Sequence, residues 1–372
     1  MTTNLTRRQL INKGTTIIGG SILGSMVGIK PLYAASGVLP STPIRMMFNE
    51  NPYGPSQIAR KAMRKAFNES NLYSMRSAKA DFKSLMAKLN GVTPDHIAVG
   101  FGSGEILKKA ALMNGIDKGE LVSPALTFET INRYAKTMGS NVRRVPMTNQ
   151  IGIDLDRMAN QVGSKTKMVY LCNPNNPTGS LMQTSQLESF CRTVSKKATV
   201  FVDEAYHEYV MDPNYKSMID LVKLGHNIIV SRTASKVHGL AGLRVGFAIT
   251  TPDIAKRMES YLTDSLNIVG LRAAIASYQD KKFQTYSISQ NNRARSVVTD
   301  YLNTKGIEYL SSQTNFIFIK TGIEITQLQP AMEKYGVLVG RPFPPYTKWC
   351  RLSMAKPEEM DKFNVGLEKV MG

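Results

Sequence analysis

The sequence predicts an α/β protein in which a large domain on a mostly parallel sheet precedes a smaller α+β domain. Three observations carry this. Short β-branched runs bounded by Asn, Pro, Gly or Ser recur between helical patterns after residue 80. Polar residues gather just after several of these runs, where an α/β sheet opens its binding crevice. Near residue 285 the rhythm changes to one long polar helix, then strand, helix and strand.

In order along the chain, "DFKSLMAKL" (81–89) has apolar residues three and four apart and predicts an amphipathic helix. "HIAVGFGSGEILKKAALMNGI" (96–116) predicts a strand, a glycine turn and a helix. "MVYLC", "TVFVDEA", "NIIVS" and "RVGFAIT" are compact apolar runs that predict strands buried on both faces. "SISQNNRARSVVTDYLNTKG" (287–306) predicts the long polar helix, with "NFIFIK" and "WCRLSMA" as later strands. The resulting division is an export signal over 1–36, then an arm and part of the small domain over 37–70. The large domain spans 71–284 and the rest of the small domain 285–372.

The first 36 residues contain no acidic side chain. Arg7 and Arg8 precede an apolar stretch diluted with Gly and Ser, and Ala34, Ala35 and Ser36 follow it. This is the layout of a secretory signal, and "TRRQLI" is similar to a twin-arginine signal, which exports folded proteins. An exported or periplasmic enzyme using the Tat machinery is expected, with a cytoplasmic protein as the alternative if the segment is only an arm.

Charge is the unusual bulk property: 47 Lys and Arg against 28 Asp and Glu give a formal net charge of +19. The basic residues lie in ones and twos, such as Lys108-Lys109 and Arg143-Arg144, without a basic arm, zinc-finger spacing or RNP-like aromatic run. A solvated basic surface that favours small anions is expected, and no nucleic-acid partner. Cys172, Cys191 and Cys350, with four scattered histidines, show neither a disulfide framework nor metal-ligand spacing. No metal is expected.

Chemistry collects at the strand ends. "VYLC" runs into "NPNNPTG" and delivers Asn176; "FVDEAY" delivers Asp203 and Tyr206; "IIVS" runs into "RTASK" with Thr233, Ser235 and Lys236. Taken singly, these are a turn, a helix cap and a solvated tip. Taken together, they are what an aldehyde cofactor such as pyridoxal phosphate needs. A lysine amine must attack the aldehyde, and burial and nearby positive charge lower its pKa. A carboxylate must keep the pyridine nitrogen protonated. The phosphate needs hydroxyls, an arginine and backbone N–H groups at a helix start, and "GFGSGE" (100–105) suits that role. This stretch lacks the order of a dinucleotide fingerprint and of a P-loop.

These residues resemble the class I/II, fold-type-I PLP aminotransferases, and most closely their histidinol-phosphate aminotransferase-like branch. "NENPYGP", "GSGE", "LTF", "NPNNPTG", "VDEAY", "SRTASK…GLAGLRVG" and "CRLSM" occur in family order, from residue 49 to about residue 365. The resemblance implies the PLP-dependent transferase fold type I and pyridoxal 5'-phosphate as cofactor. It implies that Lys236 forms the internal aldimine and moves the proton, that Asp203 partners the pyridinium, and that Asn176 and Tyr206 donate to the ring oxygen. Phe128 would stack on the ring. Ser103, Gly104, Thr233, Ser235 and Arg244 would form the phosphate cup, with Glu105 completing "GSGE". Tyr73 would reach the phosphate of a neighbouring subunit in a homodimer with shared sites, although Ser74 stands where the family pattern usually has Pro. Tyr53, Asn176, Arg341 and Arg351 would meet the substrate, Arg351 through its carboxylate.

The "RPFPPY" stretch (341–346) departs from the family pattern, so Phe343, Tyr346 and Trp349 either shape a pocket or pack beneath the small domain. The implied activity is a ping-pong transfer of an amino group between an amino acid, or a histidinol-phosphate-like amine, and a 2-oxo acid. A decarboxylase or lyase of the same fold is the alternative.

Overall fold

The computed structural model describes residues 43–72, 75–261 and 265–372, without the side chains of residues 75 and 76. The export-signal segment and Tyr73 lie outside the described residues. Among these residues the strands are β1 (Ile44–Met46), β2 (Ile97–Phe101), β3 (Glu120–Pro124), β4 (Val142–Val145), β5 (Thr166–Cys172) and β6 (Thr199–Asp203). They continue as β7 (Ile228–Thr233), β8 (Val245–Ile249), β9 (Tyr309–Leu310), β10 (Phe316–Lys320), β11 (Val337–Val339) and β12 (Trp349–Ser353). Six helices matter below: α1 (Met75–Asn90), α2 (Gly102–Ile116), α3 (Thr130–Thr137), α4 (Ile268–Gln279), α5 (Lys281–Thr304) and α6 (Pro357–Met371).

Seven strands form the main sheet in the order β2-β8-β7-β6-β5-β3-β4. Every neighbouring pair is parallel except the two made by β8, which runs antiparallel to both β2 and β7. Alternate residues of each strand point to opposite faces. Val200 and Val202 therefore enter one core with Val230 and Phe247. Phe201 enters the other, with Tyr170, Ile229 and Ala248. Phe201 and Phe247 are both fully buried, each worth roughly 1.5–3 kcal/mol of hydrophobic stabilisation. Two-sided burial explains why these strands read as continuous apolar runs.

A third core lies beside the three-stranded antiparallel sheet β12-β10-β9. Ala294, Val298 and Leu302 of α5 and Met360, Phe363 and Leu367 of α6 pack there against Ile317, Ile319 and Leu352. β1 pairs in parallel with β11, so the residues just before the "NENPYGP" turn join this late part of the chain.

The glycine turn expected before the first sheet-covering helix is a single residue. Gly102 takes φ 71° and begins α2 directly after β2, a conformation that costs glycine little. Two other positions also differ in detail. β7 ends at Thr233, so Lys236 sits in the turn beyond it, and Arg244 lies just before β8 with φ 54°.

Candidate active site

The carboxyl ends of β5, β6 and β7 and the start of α2 border one cavity of about 940 Å³. A volume of this size suits a cofactor together with a small substrate. Ser103, Gly104, Glu105, Phe128, Asn176, Asp203, Tyr206, Thr233, Ser235, Lys236, Arg244, Arg341 and Arg351 all line it. Tyr53 does not. Its ring meets Tyr286 edge-on at 5.1 Å beside a much smaller cleft.

Asp203 ends β6 opposite Ser231 of β7. Its carboxylate accepts from Ser231 Oγ at 2.7 Å and Tyr170 OH at 3.4 Å. Burial raises its pKa to about 6, against the pull of those two hydroxyls. A cation placed on this carboxylate would be stabilised, because few charges share its surroundings.

The Tyr206 hydroxyl accepts from Asn49 Nδ2 at 3.0 Å and from Asn176 Nδ2 at 3.1 Å. Two amide donors occupy its lone pairs, so its own proton is left to donate to a third group. Asn176 Oδ1 in turn accepts from Arg351 Nη1 at 2.8 Å, and Arg351 Nη2 donates to Met47 O at 2.6 Å. Arg351 Nε is buried without a hydrogen-bond partner among the described residues. An unpaired buried guanidinium N–H is costly and calls for an acceptor.

Lys236 Nζ donates to Asn49 O at 3.3 Å and sits 5.4 Å from the centre of the Tyr206 ring. Burial, then the Arg351 charge and more weakly that of Arg244, lower its pKa to about 8, while Asp203 and Glu50 pull the other way. At pH 7 roughly a tenth of the amine is therefore neutral, a state in which it can act as nucleophile or base.

The other end of the cavity suits a dianion. Arg244 donates from Nη1 to Ala241 O at 2.7 Å and lies 3.5 Å from both Ser235 Oγ and Phe101 O. It makes no carboxylate ion pair among the described residues. Thr233 Oγ1 and Ser235 Oγ lie 2.9 Å apart. A Cβ on Gly246 would stand 2.3 Å from Ser103 N, so only glycine lets the start of α2 rest on β8. The helix N-terminus, two hydroxyls and a guanidinium thus converge at this end of the cavity.

Some assignments gain a second meaning in three dimensions. Glu105 lines the cavity, yet its carboxylate accepts from Phe101 N at 2.7 Å and lies 3.8 Å from Lys109 Nζ. Phe343 and Trp349 are buried in a cluster with Leu126, Ile151 and Phe318, and Tyr346 packs against it. Packing is the reading they support. Arg341 lies over the Phe343 ring at 4.2 Å and faces the cavity. Asn49 was missed as a site residue. It takes φ 56° at the head of "NENPYGP" and donates to the Tyr206 hydroxyl, a contact that the motif alone does not show. Lys108, Lys109 and Arg133 also line the cavity and had read as solvated charge.

The "Aminotransferase class I and II" family model matches residues 41–365. Histidinol-phosphate aminotransferase 2 of Haemophilus influenzae is 32% identical over 332 residues, covering 88% of this chain and 90% of its own. The Nitrosospira multiformis protein of the same name is 33% identical over 323 residues, covering 86% and 82%. A solved structure described as a histidinol-phosphate aminotransferase from Erwinia carotovora atroseptica superposes with a TM-score of 0.84 at 33% identity, covering 88% and 95%. The Sinorhizobium meliloti histidinol-phosphate aminotransferase in complex with pyridoxal-5'-phosphate shares the fold, with a TM-score of 0.81 at 24% identity over 94% and 99%. With the cavity, the strand-end residues and a match across nearly all of the described chain in agreement, this protein belongs to the class I and II aminotransferases.

Proposed function

We propose that this chain moves an amino group between an amino acid, or a histidinol-phosphate-like primary amine, and a 2-oxo acid, with Lys236 as the residue that carries the proton. The chain is a pyridoxal 5'-phosphate-dependent transaminase. The observation that carries the residue roles is the meeting of a half-buried amine with a buried carboxylate, phenol and arginine in one cavity.

The residues present fit the cofactor. Gly102 and Gly246 leave a cradle that a Cβ would fill, and Arg244 above it has no carboxylate partner among the described residues. Ser103, Gly104, Thr233, Ser235 and Arg244 would hold the phosphate. Asp203 would hold the ring nitrogen, Asn176 and Tyr206 the ring oxygen, and Phe128 the ring face. When bound, the cofactor supplies an electron sink for the substrate carbon. Lys236, largely shielded from water, takes the proton from that carbon and returns it. Arg351 Nε, with no hydrogen-bond partner among the described residues, offers a donor to the substrate carboxylate. Arg341, exposed at the cavity wall, would meet the far end of the substrate.

The assembly is proposed as a homodimer in which Tyr73 serves the neighbouring site. The separate core around β10 and β12 supports the reading of 285–372, with part of 37–70, as a small domain. Export through a twin-arginine signal in 1–36 rests on the sequence alone.

An absorbance screen of the purified protein against amino donors tests the activity. A donor is expected to convert the lysine-linked cofactor band to that of the aminated cofactor, and Lys236→Ala should lack the original band. Retention of that band in Lys236→Ala would sink the assignment, and CO₂ release without consumption of a 2-oxo acid would replace transamination with decarboxylation.

A further inference from the structure

Behind the Lys236 turn lies a buried charged group that the chemistry above does not use. His238 has no exposed surface. Its Nδ1 is 3.0 Å from Ser277 Oγ, and its ring lies 3.9 Å from that of Tyr278, centre to centre, at the end of α4. Its Nε2 is 3.4 Å from Glu208 Oε1, and His207 Nε2 approaches the same oxygen at 3.1 Å. The two imidazoles thus meet one carboxylate oxygen, and the Tyr278 hydroxyl has no hydrogen-bond partner among the described residues. Burial pushes the Glu208 carboxyl up, but His207 and His238 together hold it well below the usual carboxylate range. Arg232, paired with Glu204 at 2.9 Å, is a further charge that acts on both Glu208 and Tyr278.

Such a group is a poor way to gain stability. Burying a carboxylate and an imidazole costs desolvation that a well-packed apolar pair would avoid. What it supplies is position. The turn is tied as well through its backbone, where Asn51 Nδ2 donates to Val237 O at 2.8 Å and Gly239 N to Lys236 O at 2.9 Å, and through the Val237 side chain, buried in a cluster with Tyr206, Tyr209 and Phe316. Gly239 lies against the Gly54 backbone so closely that a Cβ would stand 2.3 Å from Gly54 O. His238 is two residues from Lys236 and reaches inward to α4 and to the turn after β6, which also bears Tyr206.

We propose that His238 is a positioning residue: held between Ser277 and Glu208, it fixes the turn that aims the Lys236 amine into the cavity. The inference rests on Lys236 being the reacting amine, as proposed above. Two variants test it. His238→Phe keeps a ring against Tyr278 and removes both polar contacts; Glu208→Gln keeps the shape and removes the charge.

In cofactor-free protein, amide hydrogen exchange over residues 234–240 should rise about tenfold in His238→Phe and at least about threefold in Glu208→Gln, with β5 and β6 unchanged. In cofactor-loaded protein, the pH midpoint of the Lys236-dependent absorbance should move by about half a unit or more in both. Wild-type exchange at 234–240 in both variants overturns the proposal. So does a rise spread equally over β5 and β6, which is what a merely structural role produces. If one variant fails to fold, the other decides. A wild-type protein with no Lys236-dependent absorbance would overturn the proposed function instead, while the exchange measurement still judges His238.

Discussion

Replacing Gly102 by alanine perturbs the phosphate end of the cavity at one atom. Gly102 has φ 71°, and a Cβ there would stand 2.4 Å from Arg244 Nη2 and 2.9 Å from its Cζ. The left-handed backbone costs an L-residue about 1–2 kcal/mol. To regain ordinary contact the guanidinium must retreat by roughly 1 Å. A hydrogen bond to a charged group is worth about 1.5–3 kcal/mol, so displacement of Arg244 weakens cofactor binding by about tenfold to a hundredfold. The fold should survive with a melting temperature lower by a few degrees, roughly what 1–2 kcal/mol produces in a chain of this size. Titrating cofactor into apo-protein by absorbance, beside calorimetry, reads the two effects separately. Gly225→Ala is the control for backbone strain, because Gly225 takes φ 81° away from the cavity and a Cβ there meets nothing within 4 Å among the described residues. Folded Gly102→Ala protein that binds cofactor as tightly as wild type would refute the placement of Arg244 at the phosphate.

Lys236→Met should stabilise the cofactor-free protein at neutral pH, because it removes a half-buried, poorly hydrated ammonium. The folded pKa of about 8 lies below the ordinary 10.5. The unfolded chain therefore binds more protons between those values, and wild-type stability rises with pH across that window. The advantage of Lys236→Met, at most about 3 kcal/mol below pH 8, should shrink toward pH 10.5; a melting-temperature gap that ignores pH would be the wrong result. Arg351→Lys should raise KM for an amino-acid donor about tenfold or more, since lysine cannot replace a fork that also serves Asn176 and Met47. Cofactor affinity should stay at the wild-type level, and steady-state kinetics with an unchanged KM would remove Arg351 from the substrate site.

The buried strands were legible because β5 to β8 are apolar on both faces, so pattern and position coincide. β3 and β4 were not singled out. "ELVSP" ends in Ser and Pro, and "VRRV" is an edge strand that carries its charges into pairs, Arg143 with Glu120 and Arg144 with Glu129. Most of the site was readable because sheet topology gathers strand ends that are far apart in sequence. Contacts that cross elements were not. Nothing local joins Asn49 to Tyr206, or Glu208 to His238, because each pair meets only after the sheet and its covering helices have packed. Tyr53 shows the converse. Its motif was recognisable, but within one chain the side chain turns to Tyr286 instead of the cavity.

The glycine that lets α2 rest on β8 also bears on how the chain finds its pairing. β8 is the one strand of the main sheet inserted against its neighbours' direction, with Gly246 opposite Gly100 of β2 and Thr233 of β7. Strand register is weakly specified when both faces are buried, since a slip of one residue still leaves apolar side chains inside. Here a slip of one brings Val245 or Phe247 to the place where even a methyl would collide with the Gly102–Ser103 backbone. A slip of two brings Arg244 or Ala248. Gly246 thus acts as a key that admits one register of β8 beneath the start of α2. Substituting it should lower the yield of correctly paired chains, over and above any effect on binding.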